Sequence, residues 1–407
     1  MEKEKHLDIL AVIFDIGITM DNSAVFQSQV MDQLIALSNM GYRVGLLCNY
    51  EKKDLFEKKI AERLRAEDIQ IVSYEDVGFF KNLINMIIAL NKISMKYKVS
   101  NAYTRGIWGS LIILASKLKN NIPYVYDLRG DLIDEAKAQN TNIIKIFFYR
   151  CLEKIALKYA VHVTSVTKML IEIVKNRTRL QFEYSVIPSC IECSESIISP
   201  ERRDKLRSNL GIKKDEIVFV YSGGLSFYQK VPEMLDLWHQ VHQERDDVKF
   251  LLLTNSDPHT LPDEVIGIEA FGSSIKCLSL TRKDALDTLS LADIGFILRD
   301  DRDLNRAASP VKFAEYIDSG LAIICSPFIG DLSNHVRQND LGVIVDPLNL
   351  DKDFNHIIDF IDLVKNNRER YQKCAKALVS EKYSWRSYNK SYISIYGNPD
   401  TEIKGIQ

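Results

Sequence analysis

The chain has 407 residues, 46% of them hydrophobic and 27% charged, with a net charge of −2 at pH 7. That is enough for two domains of roughly 200 residues, each with its own core, and it excludes disordered and fibrous classes. The near-neutral balance gives no electrostatic ground for a nucleic-acid partner.

Short β-rich runs alternate with amphipathic runs of helix length, a pattern that predicts parallel sheets covered by helices. The first strand is expected over 7–15, a helix over 24–40, and a second strand over 43–48 after a stop at Gly41. Strands at 69–74, 102–105, 124–128, 161–166 and 184–187 continue the series, with helices near 79–97, 107–119, 142–159 and 167–176. Residues 187–203, IPSCIECSESIISPERR, hold two prolines and four serines and break the periodicity, so they read as a linker. The pattern restarts with a helix near 203–210 and strands at 217–221, 248–253, 275–278, 294–298, 322–325 and 342–345. Helices are expected near 232–244, 283–290, 311–319 and 351–382. The domains then fall at 1–190 and 204–382. Open α/β sheets bind ligands beyond the carboxyl ends of their strands, so the ligand is expected in a cleft between the halves.

Seven cysteines, Cys48, Cys151, Cys190, Cys193, Cys277, Cys325 and Cys374, are scattered and odd in number, the usage of a reducing, cytoplasmic compartment. Cys190 and Cys193 form a lone CxxC and the seven histidines are dispersed, so no metal site is expected. MEKEKHLDILAVIFD mixes both charge signs before a short apolar run and does not read as a signal peptide. No apolar run approaches the ~18 residues of a transmembrane helix.

One segment departs from the average. Residues 77–126 contain no Asp or Glu but seven cations: Lys81, Lys92, Lys96, Lys98, Arg105, Lys117 and Lys119. They read either as the solvated side of two helices or as a positive face for an anionic membrane or a phosphorylated substrate. The amphipathic stretch IIKIFFYRCLEKIALKYA adds to the second reading, a peripheral contact at the inner face of the membrane.

Two motifs carry chemistry. In FVYSGGLSFYQKVPEML a strand runs into Gly223 and Gly224 and then a helix, leaving free backbone N–H groups that favour phosphate, with Lys230 at the helix entrance. The alternative is a tight turn and nothing more. In GFILRDDRDLNRAASPVKFAEYIDSG a buried strand delivers Arg299, a polar loop of nine residues follows, and Ser309-Pro310 starts a helix carrying Lys312 and Glu315. Arg299, Lys312 and the helix start suit a diphosphate, and Glu315 suits neutral hydroxyls such as those of a ribose. The rival is an exposed i,i+3 Lys–Glu pair worth a few tenths of a kcal/mol.

The order YSGG…YQKV, ADIGFILR and SPVKFAEYIDSGLAIICS resembles the C-terminal half of glycosyltransferase family 4, the retaining sugar-nucleotide transferases, over about residues 215–345. VMDQLIALSNMGYRVGLL, YVYDLRGDLIDE and YSVIPSCIE look like parts of the family's first domain and linker. YSWRSYNKSYISIY looks like the final helix, 383–400, that crosses back onto that domain.

The resemblance implies an α/β GT-B fold, two Rossmann-like parallel-sheet domains facing a central cleft. It implies a nucleoside-diphosphate sugar as donor substrate, no other cofactor, and a glycan or polyprenyl-linked acceptor. By position it assigns Glu315 to the ribose hydroxyls, Ser309, Pro310 and Lys312 to the donor-facing helix, and Gly223 and Gly224 to the diphosphate loop. Lys230 and Arg299 are the candidate diphosphate cations, and Asp127 and Arg129 the polar candidates of the acceptor side. Transfer in the family resembles a front-face displacement in which the leaving diphosphate helps deprotonate the acceptor, so positive charge matters most.

Two departures stand out. The family's first paired glutamate is Ala307 here, and its first-loop glycine pair is a single Gly17. A nucleotide-dependent oxidoreductase lacks its GxGxxG turn in this sequence, whereas Ala307 keeps open a non-catalytic relative that binds the sugar nucleotide.

Overall fold

The computed structural model describes residues 5–14, 26–116, 121–194, 198–255 and 272–399. Gly17, Lys117, Lys119 and the last residue of the expected first strand, Asp15, lie outside the described residues. The chain folds as two compact units, one running to Glu192 and resuming at Ser384, the other Cys193–Tyr383.

The first unit holds a seven-stranded sheet in the order β3-β2-β1-β4-β5-β6-β7. Its strands are β1 (Lys5–Ile13), β2 (Val44–Tyr50), β3 (Gln70–Glu75), β4 (Tyr97–Arg105), β5 (Tyr124–Leu128), β6 (His162–Ser165) and β7 (Tyr184–Val186). The second holds a six-stranded sheet in the order β10-β9-β8-β11-β12-β13. Its strands are β8 (Ile217–Ser222), β9 (Val248–Leu253), β10 (Ile275–Leu278), β11 (Ile294–Ile297), β12 (Ala322–Cys325) and β13 (Gly342–Ile344). Every neighbouring pair is parallel. β11 and β12 are buried along their whole length, which is why they read as unbroken apolar runs rather than alternating ones.

In each sheet the chain winds outward in one direction, returns, and winds outward in the other. The reversal falls between β1 and β4 in the first unit and between β8 and β11 in the second. At such points the connections leave the carboxyl edge in opposite directions and open a crevice.

All the expected strands are present, and the differences lie at their ends. β4 begins at Tyr97 rather than 102, directly after the helix Phe79–Lys96. Its polar start lies beside the polar start of β1, with Lys98 opposite His6 and the His6 Nε2 and Ser100 hydroxyl 2.7 Å apart, so no apolar signal marks it.

The expected helix over 351–382 is broken at Asn367 (φ −131°, ψ 34°), giving Leu350–Asn366 and Arg368–Leu378. Asn367 closes the first helix by donating its side-chain amide to the Leu363 carbonyl at 3.0 Å. The linker is shorter than 187–203, because Ser199 caps a helix, Pro200–Asn209, by accepting from the Arg202 N–H. Ser followed by Pro is a helix-start signature within that serine-rich stretch. The segment between β2 and β3, for which no element was expected, is helical from Lys53 to Ala66 and buries Phe56, Ile60 and Leu64 at four-residue spacing.

The last segment belongs to the first unit. Trp385 is buried in the core that holds Ile9, Val44 and Leu46, and the Tyr42 hydroxyl donates to the Gly397 carbonyl at 2.7 Å.

Candidate functional site

In the second unit the chemistry gathers at the carboxyl ends of β8, β11 and β12. β8 ends at Ser222, and Gly223 follows with φ 139°, donating its N–H to the Leu253 carbonyl at 2.9 Å. The Tyr221 hydroxyl donates to the Gly224 carbonyl at 2.5 Å and pins the turn. β11 delivers Arg299, whose backbone N–H donates to the Ser326 hydroxyl just past β12 at 2.7 Å.

The helix Val311–Asp318 closes this edge, with Pro310 as its N-cap in an extended conformation. Lys312 and Tyr316, one turn apart, project toward β8. Tyr316 packs flat against β11 because Gly295 has no side chain; a Cβ there would sit 2.3 Å from the ring. That close approach lets the Tyr316 hydroxyl accept from the Ser222 N–H at 2.8 Å, which ties the glycine turn to the helix.

Lys312 is buried. Its ammonium lies 4.0 Å from the centroid of the Tyr221 ring and donates to Gln229 Oε1 at 3.1 Å. Arg299 is also buried; its guanidinium stacks 4.7 Å from the Tyr228 centroid and donates to Asn305 Oδ1 at 3.2 Å, while its Nε has no partner. Among the described residues neither cation has a carboxylate within ion-pair distance. Burial depresses the Lys312 ammonium well below the ordinary lysine value, and the Arg299 charge adds to the depression. Burial lowers Arg299 likewise. Two desolvated cations are thus held by aromatic rings and neutral amides, and buried charge without an ion-pair partner costs several kcal/mol until it is matched.

The other expected donor-side residues fall around this cluster. Lys230 occupies the left-handed cap of Val231–Glu244 (φ 54°), and its ammonium is taken by Glu233 at 2.8 Å. Gln229, one residue earlier, is the group that meets Lys312. Glu315 lies 3.8 Å from Arg282, and its charge reaches the buried Lys312 only through space, so the two do not form the exposed i,i+3 pair. Ser309 immediately precedes the capping proline and is half-buried.

The polar loop after Arg299 contains a short helix, Asp303–Arg306, that buries Asn305. Asn305 is anchored by the Asp300 carbonyl at 3.0 Å and carboxylate at 2.7 Å, which fixes the amide that holds Arg299. Asp301 pairs with Arg306 at 2.5 Å. Ala307 is fully buried. Spacing alone did not single out Tyr221, Tyr228 or Asn305, because aromatic and amide residues in such loops carry no periodic signal.

In the first unit Asp127 on β5 meets Arg129 at 2.5 Å, and both side chains are under a tenth exposed. Asp127 also accepts from the Thr164 hydroxyl on β6 at 2.6 Å and from Tyr103 on β4. Arg129 reaches Gln33 Oε1 at 3.1 Å, and Gln33 donates to the Tyr392 hydroxyl at 3.3 Å. Burial pushes the Asp127 carboxyl up, but Arg129, Thr164 and Tyr103 outweigh it and hold it below the ordinary range. The pair thus anchors the C-terminal segment to the sheet. Beside it opens a cavity of about 590 Å³ whose lining includes Arg105, Trp108, Glu135, Lys145 and Tyr149.

No model of a known family matches the chain, and no curated protein sequence matches it. Solved structures do. Sucrose-phosphate synthase from Thermosynechococcus elongatus is 14% identical, with 95% of this chain and 98% of that one covered at a TM-score of 0.67. A glycosyltransferase from Rickettsia africae is 15% identical over 98% and 99% of the two chains, at 0.69. HepE from Anabaena, in complex with UDP-glucose, is 15% identical over 96% and 99%, also at 0.69. The near-complete coverage of both chains and the two Rossmann-like parallel sheets give this chain the GT-B fold, as its sequence resemblance implied.

Proposed function

We propose that the chain is a retaining glycosyltransferase that moves a sugar from a nucleoside diphosphate to a glycan or lipid-linked glycan acceptor. The setting in this reading is cell-surface polysaccharide biosynthesis at the inner face of the plasma membrane. The observation that carries the proposal is the pair of buried cations, Lys312 and Arg299, with no carboxylate partner among the described residues, at the carboxyl edge of a GT-B sheet. A diphosphate supplies the missing negative charge, and the Gly223–Gly224 turn offers backbone close by.

In this reading the bond from the anomeric carbon to the phosphate oxygen breaks as the acceptor oxygen bonds to that carbon on the same face. The acceptor proton passes to the leaving phosphate. Lys312 and Arg299 stabilise the charge that develops there, and no protein nucleophile is required. Gln229 and Asn305 hold the two cations, Glu315 accepts from the ribose hydroxyls, and Lys230 contributes through the loop it caps. Asp127 and Arg129 act by holding the acceptor-side fold.

A uridine nucleotide is the first donor to try, because HepE was obtained in complex with UDP-glucose. Thermal unfolding with UDP-, GDP-, TDP- and CMP-sugars is expected to show one nucleotide raising the midpoint, since a ligand that binds only the folded state stabilises it by mass action. Glu315→Ala should erase that selectivity. A panel that shifts neither protein, or both alike, removes the donor-site assignment. The buried Ala307 favours a second reading, a sugar-nucleotide-binding protein without transfer. Binding without turnover of the matched donor would select it.

A further inference from the structure

The helix Ile143–Tyr159 is apolar on both sides. Ile146, Leu152, Ala156 and Leu157 are buried, while Ile143, Ile144, Phe147, Phe148, Ile155 and Tyr159 are exposed. Its outer side mixes these apolar groups with cations, unlike the purely polar outer face usual for a surface helix. The helix Phe79–Lys96 repeats the arrangement, with Met86, Ala89, Leu90 and Ile93 inside and a stripe of Phe80, Ile84, Ile88 and Met95 outside. The exposure is large, 76% at Phe80, 75% at Ile144 and 67% at Phe147.

The two helices are neighbours of a third helix in the first unit. The helix Gly106–Ser116 packs against both, and a chain of edge-to-face rings crosses the three. Phe80 meets Phe79 at 5.2 Å, Phe79 meets Trp108 at 4.9 Å, and Trp108 meets Tyr149 at 6.3 Å. Charge completes the picture. Every exposed charged side chain on the two helices is a cation: Lys81, Lys92 and Lys96 on one, Lys145, Arg150, Lys154 and Lys158 on the other. The single acid, Glu153, is buried and paired with Arg177 at 2.8 Å.

We infer that this face docks on an anionic lipid bilayer, with the aromatic and aliphatic side chains in the acyl boundary and the lysines among the phosphates. Charge complementarity selects this occupant over a second copy of the chain, because two copies would bring like-charged faces together. No helix among the described residues is long and apolar enough to cross a membrane, so the contact is peripheral. Lys145 and Tyr149 also line the 590 Å³ cavity, so docking holds its mouth at the level of the lipid headgroups. The inference deepens the membrane contact of the proposed function but rests on the surface of the first unit alone.

The test is flotation of the full chain with vesicles of phosphatidylglycerol and phosphatidylcholine, against phosphatidylcholine alone. Binding is expected only to the anionic vesicles at low salt, falling about fivefold for each cation removed in Lys154→Gln and Lys158→Gln. Ile144→Glu with Phe148→Glu should abolish binding at every salt concentration, with the unfolding midpoint unchanged because both residues are already exposed. No flotation, or flotation that survives the double change, overturns the inference. So does a concentration-dependent dimer in sedimentation that the double change dissolves, which would give the face to a second copy. UDP binding measured on the same proteins tests the donor site separately; its loss or persistence leaves the vesicle result readable.

Discussion

The ammonium of Lys312 sits 4.0 Å from the centroid of the Tyr221 ring, and a Cβ added to Gly223 would lie 2.9 Å from the same nitrogen. One atom is thus enclosed by the strand end, the glycine turn and the Gln229 amide; Glu315 acts on it through space, but among the described residues no carboxylate forms an ion pair with it.

An unpaired buried cation lowers stability in the free protein and repays it only with an anion bound. Lys312→Met is therefore expected to leave the urea midpoint unchanged or raised, while UDP affinity falls about 10- to 100-fold, the worth of a charge-assisted hydrogen bond of ~1.5–3 kcal/mol. Urea unfolding and calorimetric titration together check it. Lost stability with intact UDP binding would make Lys312 a structural cation instead.

The depressed pKa of Lys312 fixes a sign. In the free fold the group loses its proton below the ordinary lysine value, so between the two values the unfolded chain holds one proton more and stability rises with pH. A bound diphosphate favours the charged form and raises the folded value. Binding then takes up a proton in that window, and affinity should fall as pH rises through it. Titrations in buffers of different ionisation enthalpy measure the uptake, and Lys312→Arg should abolish it.

Gly223 has φ 139°, where a side chain is strained, and the added methyl would collide with the Lys312 ammonium. Gly223→Ala should cost about 1–3 kcal/mol in stability from the backbone alone. It should also weaken UDP binding, whereas Gly224→Ala, with open space around its Cβ, should do neither. Equal effects from the two changes would contradict this placement of the turn.

Asp127→Asn leaves the buried Arg129 without its counter-charge, a change expected to cost about 3–5 kcal/mol in urea unfolding. Because the Asp127 carboxyl is held below the ordinary carboxylate range, its contribution is complete at neutral pH. It is lost only as pH falls through that lowered value. The difference between wild type and variant should therefore shrink in strong acid. A constant difference across pH would assign the effect to packing.

The order of strands and helices was legible because central strands such as β8, β11 and β12, covered on both faces, are short apolar runs between turn residues. The helix Lys53–Ala66 escaped although Phe56, Ile60 and Leu64 repeat every four residues, since six charged residues in its first ten mask the stripe. The start of β4 and the break at Asn367 depend on neighbours far along the chain, which no local period records.

The sequence by itself determined the alternating α/β order, the glycine turn after β8 and the arginine at the end of β11. Each is a local matter of burial period and backbone freedom. Only the tertiary structure decided what the charges do. Lys312 and Glu315, three residues apart on one helix, face different partners. Lys230 is neutralised by Glu233, and Asp127 with Arg129 is sealed into a core network. The physical reason is that the fate of an ion depends on the dielectric and the partners around it, and those are assembled from strands distant in sequence.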